Sequence, residues 1–192
     1  MKKFIFSIVV LLFSMTGFTR QTPSLSQQEK DGILYMREEE KLARDVYDSL
    51  FIKWGGRPFV NIRQSEQYHM DRMKTLITTY GLEDPVVKTN DRHGIFWNAS
   101  LQTFYNELVR TGGSSFTEAL KTGAQIEEQN IADLEKRMKQ TQKQDIIAVY
   151  DYLKMASGNH LRAFVRRLNM QGIPYEPVIL SKADFDKIIG GA

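Results

Sequence analysis

Four long segments of this 192-residue chain carry apolar residues at spacings of three and four, which is the period of an amphipathic helix. Three of these segments open with a capping-box pattern, in which Ser26, Ser115 or Thr141 is followed three residues later by Glu or Gln. Glycine or proline interrupts the pattern between segments and sets where each helix ends. The spacing predicts helices over about 26–54, 59–80, 115–139 and 141–171.

The segments between these helices differ in length. Short turns join the first helix to the second and the third to the fourth, so each pair should form an antiparallel hairpin. A long connection without regular structure, 81–98, followed by a short amphipathic helix at 101–110, joins the two pairs. The sequence therefore predicts an all-α antiparallel four-helix bundle with one long crossover connection that carries an extra short helix.

The N-terminal segment has the pattern of an export signal. Lys2 and Lys3 precede an apolar run over 4–18, which is typical of a secretory signal peptide and predicts a periplasmic or extracellular protein. An uncleaved membrane anchor is the alternative reading. The predicted organisation is a signal peptide at 1–20, a leader at 21–25, the helical bundle at 26–172, and a tail at 173–192 with a short helix near 181–188.

Charge and cysteine content narrow the classes of function. The chain has 26 Lys and Arg against 23 Asp and Glu. Of the 26, Lys2, Lys3 and Arg20 lie in the signal segment, so the remaining 23 balance the acids. A neutral folded part argues against nucleic-acid binding, which requires a basic surface. Because the chain has no Cys, any bound metal must be held by Glu, Asp or His.

Each predicted long helix places a potential metal ligand within its apolar stripe. A carboxylate buried without a partner costs several kcal/mol, about the net stability of a small domain, so several such groups on core stripes suggest a shared partner. A metal ion is one such partner, and a set of structural ion pairs is the other. The candidates are Glu40, Glu66, His69, Glu127 and His160.

The sequence positions of these residues predict that their side chains lie at the same height along the bundle axis. Residues equidistant from the turn of an antiparallel hairpin lie side by side, at about 1.5 Å of rise per residue. The midpoint between Glu40 and the Glu66/His69 pair falls near Trp54, where the first turn is predicted. The midpoint between Glu127 and residues 157–160 falls near the second turn. Both hairpins should therefore bring their ligands to one level.

Four motifs resemble those of rubrerythrin-type ferritin-like proteins. These are EEEKLARDVY at 38–47, EQYH at 66–69, GAQIE at 123–127 and NHLRAF at 159–164. Residues 26–170 as a whole are similar to an uncharacterised bacterial and archaeal branch of that superfamily. The resemblance implies a ferritin-like bundle whose inward-facing Glu and Glu-x-x-His residues hold two metal ions.

The fourth helix departs from the pattern of that family. Where Glu-x-x-His is expected, the chain reads Ser157-Gly158-Asn159-His160, so the carboxylate that would bridge or cap one metal is missing. A water molecule held by Ser157 is one replacement. A neighbouring acid is another, and the acids available for this role are Glu38, Glu39 and Glu128.

The resemblance also suggests roles for residues around the ligands. Arg44 and Arg162 would pair with the site carboxylates, or else form salt bridges elsewhere. Tyr47, Tyr68 and Tyr150 would lie near the site, or else be ordinary bundle aromatics. In the long connection, we expect His93 to be solvated and Phe96 and Trp97 to be exposed.

The implied activity is the oxidation of iron or a small substrate by dioxygen or peroxide, with an external electron source. The metal would be iron or manganese, with zinc also compatible with the ligands. The expected protein is a monomer or small homo-oligomer with no stable membrane association after signal cleavage. The alternative is a non-catalytic bundle with a degenerate site, which binds a single metal such as zinc or serves as a structural or interaction module.

Overall fold

The computed structural model describes residues 24–191, and this span is all-helical, with no strand. The predicted signal peptide at 1–20 and residues 21–23 of the leader lie outside the described residues. No helix within 24–191 is long and apolar enough to cross a membrane. The helices are α1 (Gln27–Trp54), α2 (Phe59–Thr79), α3 (Pro85–Lys88), α4 (Ala99–Gly112), α5 (Phe116–Met138), α6 (Gln144–Asn169) and α7 (Lys182–Gly190).

The long helices form two hairpins that pack into a helical bundle. Helix α1 packs along α2, and α5 packs along α6, while contacts of α1 with α5 and of α2 with α6 join the two pairs. The short turns at 55–58 and 139–143 make each pair antiparallel. Helix α4 lies against α1 and α5, α3 lies against α1, and α7 lies against α6. The predicted helical bundle is therefore observed, with its helix order as expected.

Two of the three predicted capping boxes mark helix starts. The Ser26 hydroxyl accepts from the Glu29 amide, and the Ser115 hydroxyl accepts from the Glu118 amide. The prediction at Thr141 is wrong, since α6 begins after Lys143 without a side-chain cap. The Thr141 hydroxyl instead donates to Glu29 Oε1 over 2.6 Å. It therefore ties the second turn to the start of α1, which local sequence does not indicate.

The long connection is more ordered than predicted. It contains the short helix α3, and Asn90 and Asp91 both have positive φ angles beyond it. Phe96 is buried against the main core, so its predicted exposure is wrong, whereas Trp97 is 63% exposed as expected. Helix α4 extends beyond its predicted bounds at both ends. The connection therefore covers one side of the bundle instead of looping freely over it.

One close approach between α5 and α6 helps to set the position of the ligands. A Cβ atom added at Gly123 would lie 2.3 Å from the ring of Phe164, so glycine leaves the room in which this ring packs against the α5 backbone. Glu127 lies one turn beyond Gly123, and His160 lies one turn before Phe164. The contact therefore holds these two side chains at neighbouring levels of the α5–α6 pair.

The buried apolar residues fall into two groups. One group surrounds Tyr47, Phe59 and Phe164. The other surrounds Met36, Met73 and further residues of α1, α2, α5 and α6 nearer the second turn. The predicted ligands lie along the helices between these groups. Apolar packing on both sides thus holds a polar layer inside the bundle, away from solvent.

Candidate metal centre

The structure brings all five predicted ligands into the polar layer. Glu40 comes from α1, Glu66 and His69 from α2, Glu127 from α5 and His160 from α6. The first four residues are fully buried, and the side chain of His160 is 12% exposed. Each hairpin supplies ligands at the same level, which is the arrangement that the equal distances from the turns predict.

These residues form two groups that share one carboxylate. Glu40, Glu66 and His69 form the first group, and Glu66, Glu127 and His160 form the second. Within each group the potential ligand atoms lie within 4.8 Å of one another. Each group therefore offers one terminal carboxylate, one imidazole nitrogen and an oxygen of the central Glu66. This is a donor set of the kind that binds a divalent cation.

His69 is oriented from both sides of its ring. Its Nδ1 atom lies 2.8 Å from Glu66 Oε2 and 3.2 Å from Glu40 Oε2. Its Nε2 atom lies 3.2 Å from Ser65 Oγ, one turn earlier on α2. A hydroxyl that accepts from Nε2–H leaves Nδ1 as the atom that faces the carboxylates. Such a partner behind a histidine fixes the ring for metal binding.

His160 completes the second group from α6. Its Nδ1 atom lies 2.9 Å from Glu66 Oε1 and 3.5 Å from Glu127 Oε1. Despite these distances, Nδ1 is not aligned for a hydrogen bond with either oxygen. The ring stacks on His69, with centroids 5.6 Å apart and an angle of 22° between the planes. Both imidazoles thus present Nδ1 to the same central carboxylate.

Several oxygen atoms of this layer have no hydrogen-bond partner within residues 24–191. They are Glu40 Oε1, Glu66 Oε1 and Glu127 Oε2, all fully buried. Buried polar atoms in proteins are nearly always paired, and an unpaired carboxylate oxygen is costly. A cation between the carboxylates would satisfy all three oxygens at once. The residues present therefore fit a metal ion better than they fit a closed set of ion pairs.

The histidines and carboxylates of the layer strongly shift one another's pKa values. Burial alone would lower the pKa of His69, but Glu66 and Glu40 raise it to about 11. Burial opposes a similar rise for His160, whose pKa reaches about 10 because of Glu127 and Glu66. Without metal, both imidazoles are therefore protonated at neutral pH. Each imidazolium then places an N–H proton, instead of a metal ion, between its ring and the carboxylates.

The carboxylates divide into two kinds. Burial would raise the pKa of Glu66, but the two neighbouring imidazoliums lower it below its ordinary value. Burial raises the pKa of Glu40 to about 8, partly offset by His69, and it also raises the pKa of Glu127. Glu66 is therefore the ionised centre of the layer. Glu40 is therefore mostly protonated at neutral pH, and a metal ion would displace that proton.

Tyr47 supports the second group from α1. Its hydroxyl donates to Glu127 Oε1 over 2.6 Å, and burial beside this carboxylate raises the pKa of the phenol well above its ordinary value. The bond occupies one oxygen of Glu127 and leaves Oε2 free. Of the three tyrosines predicted near the site, Tyr47 contacts the carboxylate of Glu127, a predicted ligand, whereas Tyr68 is 47% exposed on α2. Tyr150 is buried in the core group nearer the second turn.

The acids considered as replacement ligands are engaged elsewhere or lie outside both groups. Glu38 accepts from the amides of Trp97 and Asn98 in the long connection. Glu128 accepts from the Tyr175 hydroxyl and from the amides of 178–180, so it anchors the tail. Glu39 is fully buried, and burial with the nearby Asp133 and Glu40 raises its pKa well above normal. None of the three belongs to a ligand group within 24–191.

The two arginines expected beside the site have other partners. Arg44 pairs with Asp45 and Asp91. Arg162 donates to the Ile188 carbonyl and to Asn159. Within residues 24–191 neither arginine pairs with a site carboxylate, and for Arg44 the alternative of a salt bridge elsewhere is confirmed. Arg44 holds the long connection, and Arg162 holds the tail.

His93 is only partly solvated. Its side chain is 46% exposed, and its Nε2 atom lies 3.0 Å from the Ser49 hydroxyl. It belongs to neither ligand group of residues 24–191.

Two polar residues near the predicted ligands, the half-buried Ser65 and the buried Asn130, were not anticipated from the sequence. The Ser65 hydroxyl contacts the ring of His69. Residues four apart on a helix lie side by side, so the spacing of Ser65 and His69 could have predicted this contact. Asn130 lies one turn beyond Glu127 and is fully buried, with neither side-chain polar atom bonded within the described span. Ser157 is likewise fully buried, and its hydroxyl lacks a hydrogen bond.

Comparison with known proteins places the chain in a family. Residues 29–192 match the model of an uncharacterized protein domain, DUF2202. The chain belongs to the DUF2202 family. Uncharacterized protein MJ0754 of Methanocaldococcus jannaschii is 48% identical over 168 residues, which cover 88% of this chain and 90% of the relative.

A solved structure is similar to this DUF2202 chain along most of its length. The crystal structure of hypothetical protein MJ0754 from Methanococcus jannaschii superposes with a TM-score of 0.86 at 47% identity. The match covers 89% of this chain and 97% of that chain. The helical bundle described above is therefore shared with this relative.

Proposed function

We propose that this DUF2202 protein is a ferritin-like di-metal protein that reacts with dioxygen or peroxide. The observation that carries the proposal is the pair of ligand groups joined by Glu66. A shared carboxylate between two three-residue groups is the arrangement that a pair of cations requires, because one carboxylate can bridge two ions. Glu66 between two imidazoliums would also place one acid at the centre, but that arrangement leaves Glu40 Oε1 and Glu127 Oε2 without partners within residues 24–191.

The donor atoms favour iron or manganese. Carboxylate oxygens outnumber imidazole nitrogens among the five residues, and no thiolate is available. Zinc also accepts these ligands. Iron or manganese bound here would supply the electrons that reduce the oxidant. In this proposal Glu40 and Glu127 would each hold one ion, Glu66 would be shared by both groups, and His69 and His160 would supply the nitrogen ligands.

The surrounding residues would prepare the layer for this chemistry. Full burial of Glu40, Glu66 and Glu127 excludes bulk water, which strengthens every electrostatic interaction within the layer. Tyr47 holds Glu127 through its hydroxyl, and Ser65 holds the ring of His69. The slightly exposed edge of His160 is where a small oxidant would meet the ligand layer.

The proposal also covers the fold of the protein, its location and its oligomeric state. The helix order, with two hairpins and one long connection, supports a ferritin-like bundle. The apolar run at 4–18 after Lys2 and Lys3 supports export to the periplasm or beyond. A monomer or small homo-oligomer remains the proposed assembly.

Ser157 favours a second candidate function. It lies where a fourth-helix carboxylate is expected, is fully buried, and brings no charge to the layer. A site that lacks this carboxylate could hold a single zinc ion and support no redox reaction. The protein would then be a metal-stabilised binding or structural module.

Reaction with hydrogen peroxide separates the two candidates. Anaerobic protein loaded with ferrous iron is expected to develop ferric absorbance within the dead time of manual mixing with one equivalent of peroxide. Protein with Glu66→Gln, mixed identically, should show only the slow oxidation of free ferrous iron. Equal slow rates for both proteins would contradict the redox proposal, and retention of zinc alone by the parent protein would support the binding module.

A further inference from the structure

One aromatic contact leads from a ligand of the buried layer to the protein surface. The ring of Tyr152 on α6 lies edge-on to His69, with centroids 6.1 Å apart and planes at 90°. Tyr152 also meets Tyr68 of α2, with centroids 6.0 Å apart at 69°. His69 is fully buried, whereas the tyrosines are 37% and 47% exposed. Three rings in van der Waals contact thus connect the layer with solvent.

A positive charge lies over this tyrosine pair. The Arg72 guanidinium is 5.0 Å from the ring centre of Tyr68 and 5.3 Å from that of Tyr152. Both distances are within the range of a cation–π contact. Arg72 makes no salt bridge to an acid within residues 24–191. The patch of Tyr68, Arg72 and Tyr152 therefore offers an uncompensated cation beside two exposed phenols.

The other tyrosine that contacts the layer leads nowhere comparable. Tyr47 is fully buried and packs against Phe164, at 5.4 Å between centroids, and Phe59, at 6.3 Å. Phe59 in turn meets Phe116 at 6.3 Å. A phenylalanine ring has no O–H proton to release and is far harder to oxidise than a phenol. Only the Tyr152 side presents a row of oxidisable rings that ends in solvent within the described chain.

We propose that the patch of Tyr68, Arg72 and Tyr152 is the surface through which an anionic one-electron donor delivers electrons to the metal layer. This inference rests on the proposed function. A redox cycle in this chain needs an outside donor, because a chain without Cys cannot carry an iron–sulfur centre. A donor too large to enter the bundle cannot touch His69, so the electron must cross through side chains.

The electron transfer balances through the two phenols. Tyr152 gives one electron to the oxidised layer through His69 and releases its phenolic proton to solvent, forming a neutral phenoxyl radical. Tyr68 then gives an electron and a proton to restore Tyr152. The donor, an anion of the ascorbate class, gives one electron and one proton to Tyr68 and leaves as its own one-electron-oxidised radical. The net result is one electron gained by the layer and one proton released.

Reduction of the iron-loaded, peroxide-oxidised protein by ascorbate tests this route. Tyr152→Phe and Tyr68→Phe keep both rings but lose the oxidisable O–H, so each should slow the loss of ferric absorbance several-fold. Tyr80→Phe is the matched control, since Tyr80 lies three turns beyond His69 at the end of α2 and bonds to Asp145. Iron content and initial ferric absorbance should match the parent protein in all three variants.

Two further readouts separate this route from a structural role. A tyrosyl radical signal in electron paramagnetic resonance is expected after peroxide addition to the parent and to Tyr80→Phe, but not to Tyr152→Phe. Arg72→Ala should slow reduction by ascorbate by about tenfold at low salt, because a cation steers an anionic donor. The same variant should leave the rate with an uncharged hydroquinone unchanged.

Two results would overturn the inference, and they are distinguishable. Parent-like reduction of Tyr152→Phe and Tyr68→Phe by ascorbate, with a normal ferric site, would mean that electrons enter elsewhere, such as the exposed edge of His160. Absence of ferric absorbance in the parent protein would overturn the proposed function and this route together. If Tyr152→Phe disturbs metal binding through His69, then Tyr68→Phe, which is one ring further away, decides the matter.

Discussion

Glu66→Gln is expected to leave the protein with no tightly bound metal, whereas Glu40→Gln and Glu127→Gln should each remove one ion. Glu66 belongs to both ligand groups, and the other two acids each belong to one. Glutamine preserves the size of the side chain but cannot supply the two anionic oxygens that bridge a pair of cations. Metal content per chain after dialysis measures this difference directly.

The control for this comparison is a carboxylate outside the layer. Glu118→Gln, also on α5, changes an acid that pairs with Lys121 at the surface, and it should retain the parent metal content. Helical content by circular dichroism should show that each variant is folded. Loss of only one ion from Glu66→Gln would mean that Glu66 does not bridge and that the two groups bind independently.

Metal affinity should rise steeply with pH across the neutral range. A metal ion competes with the protons on His69 and His160, whose pKa values are about 11 and about 10 in the metal-free fold. Because these values lie above neutral pH, both imidazoliums must lose a proton before they can bind. The apparent affinity then increases by about tenfold per pH unit for each proton displaced, and it falls as the pH is lowered.

Glu40 adds to this effect. Burial raises its pKa to about 8, so at neutral pH its carboxyl group is mostly protonated and releases a further proton when metal binds. Titration of manganese into the protein at about pH 6, 7 and 8 should show this trend. Calorimetry in buffers of different ionisation enthalpy should give a net release of protons. An affinity that is independent of pH would contradict binding at these histidines.

The prediction of the fold succeeded where local sequence decides the structure. The apolar spacing and the Ser26 and Ser115 caps gave the long helices to within a few residues. The prediction failed where contacts between distant residues decide the structure. Thr141 bonds to Glu29 across the bundle instead of capping α6, and Phe96 is buried by the fold of the long connection. Neither contact is visible in the spacing of nearby residues.

The positions of the candidate ligands followed from distances along the helices, but their grouping did not. Counting from each turn put Glu40, Glu127 and the three α2 and α6 ligands at one level. The same reasoning left the second hairpin with two ligands, because Ser157 replaces a carboxylate. In the structure Glu66 of the first hairpin reaches the second group as well. How far a side chain reaches across to another hairpin depends on helix packing, which the sequence alone does not specify.

Elemental analysis of metal bound per chain is the most direct test of the central claim. The protein should be expressed with iron, manganese and zinc all supplied, and compared with His69→Ala. We expect two iron or manganese ions per chain, one for each ligand group, and a loss in the variant. A single zinc ion per chain, or no metal at all, would contradict a di-metal site, and the buried layer would then be a structural or single-metal feature of the bundle.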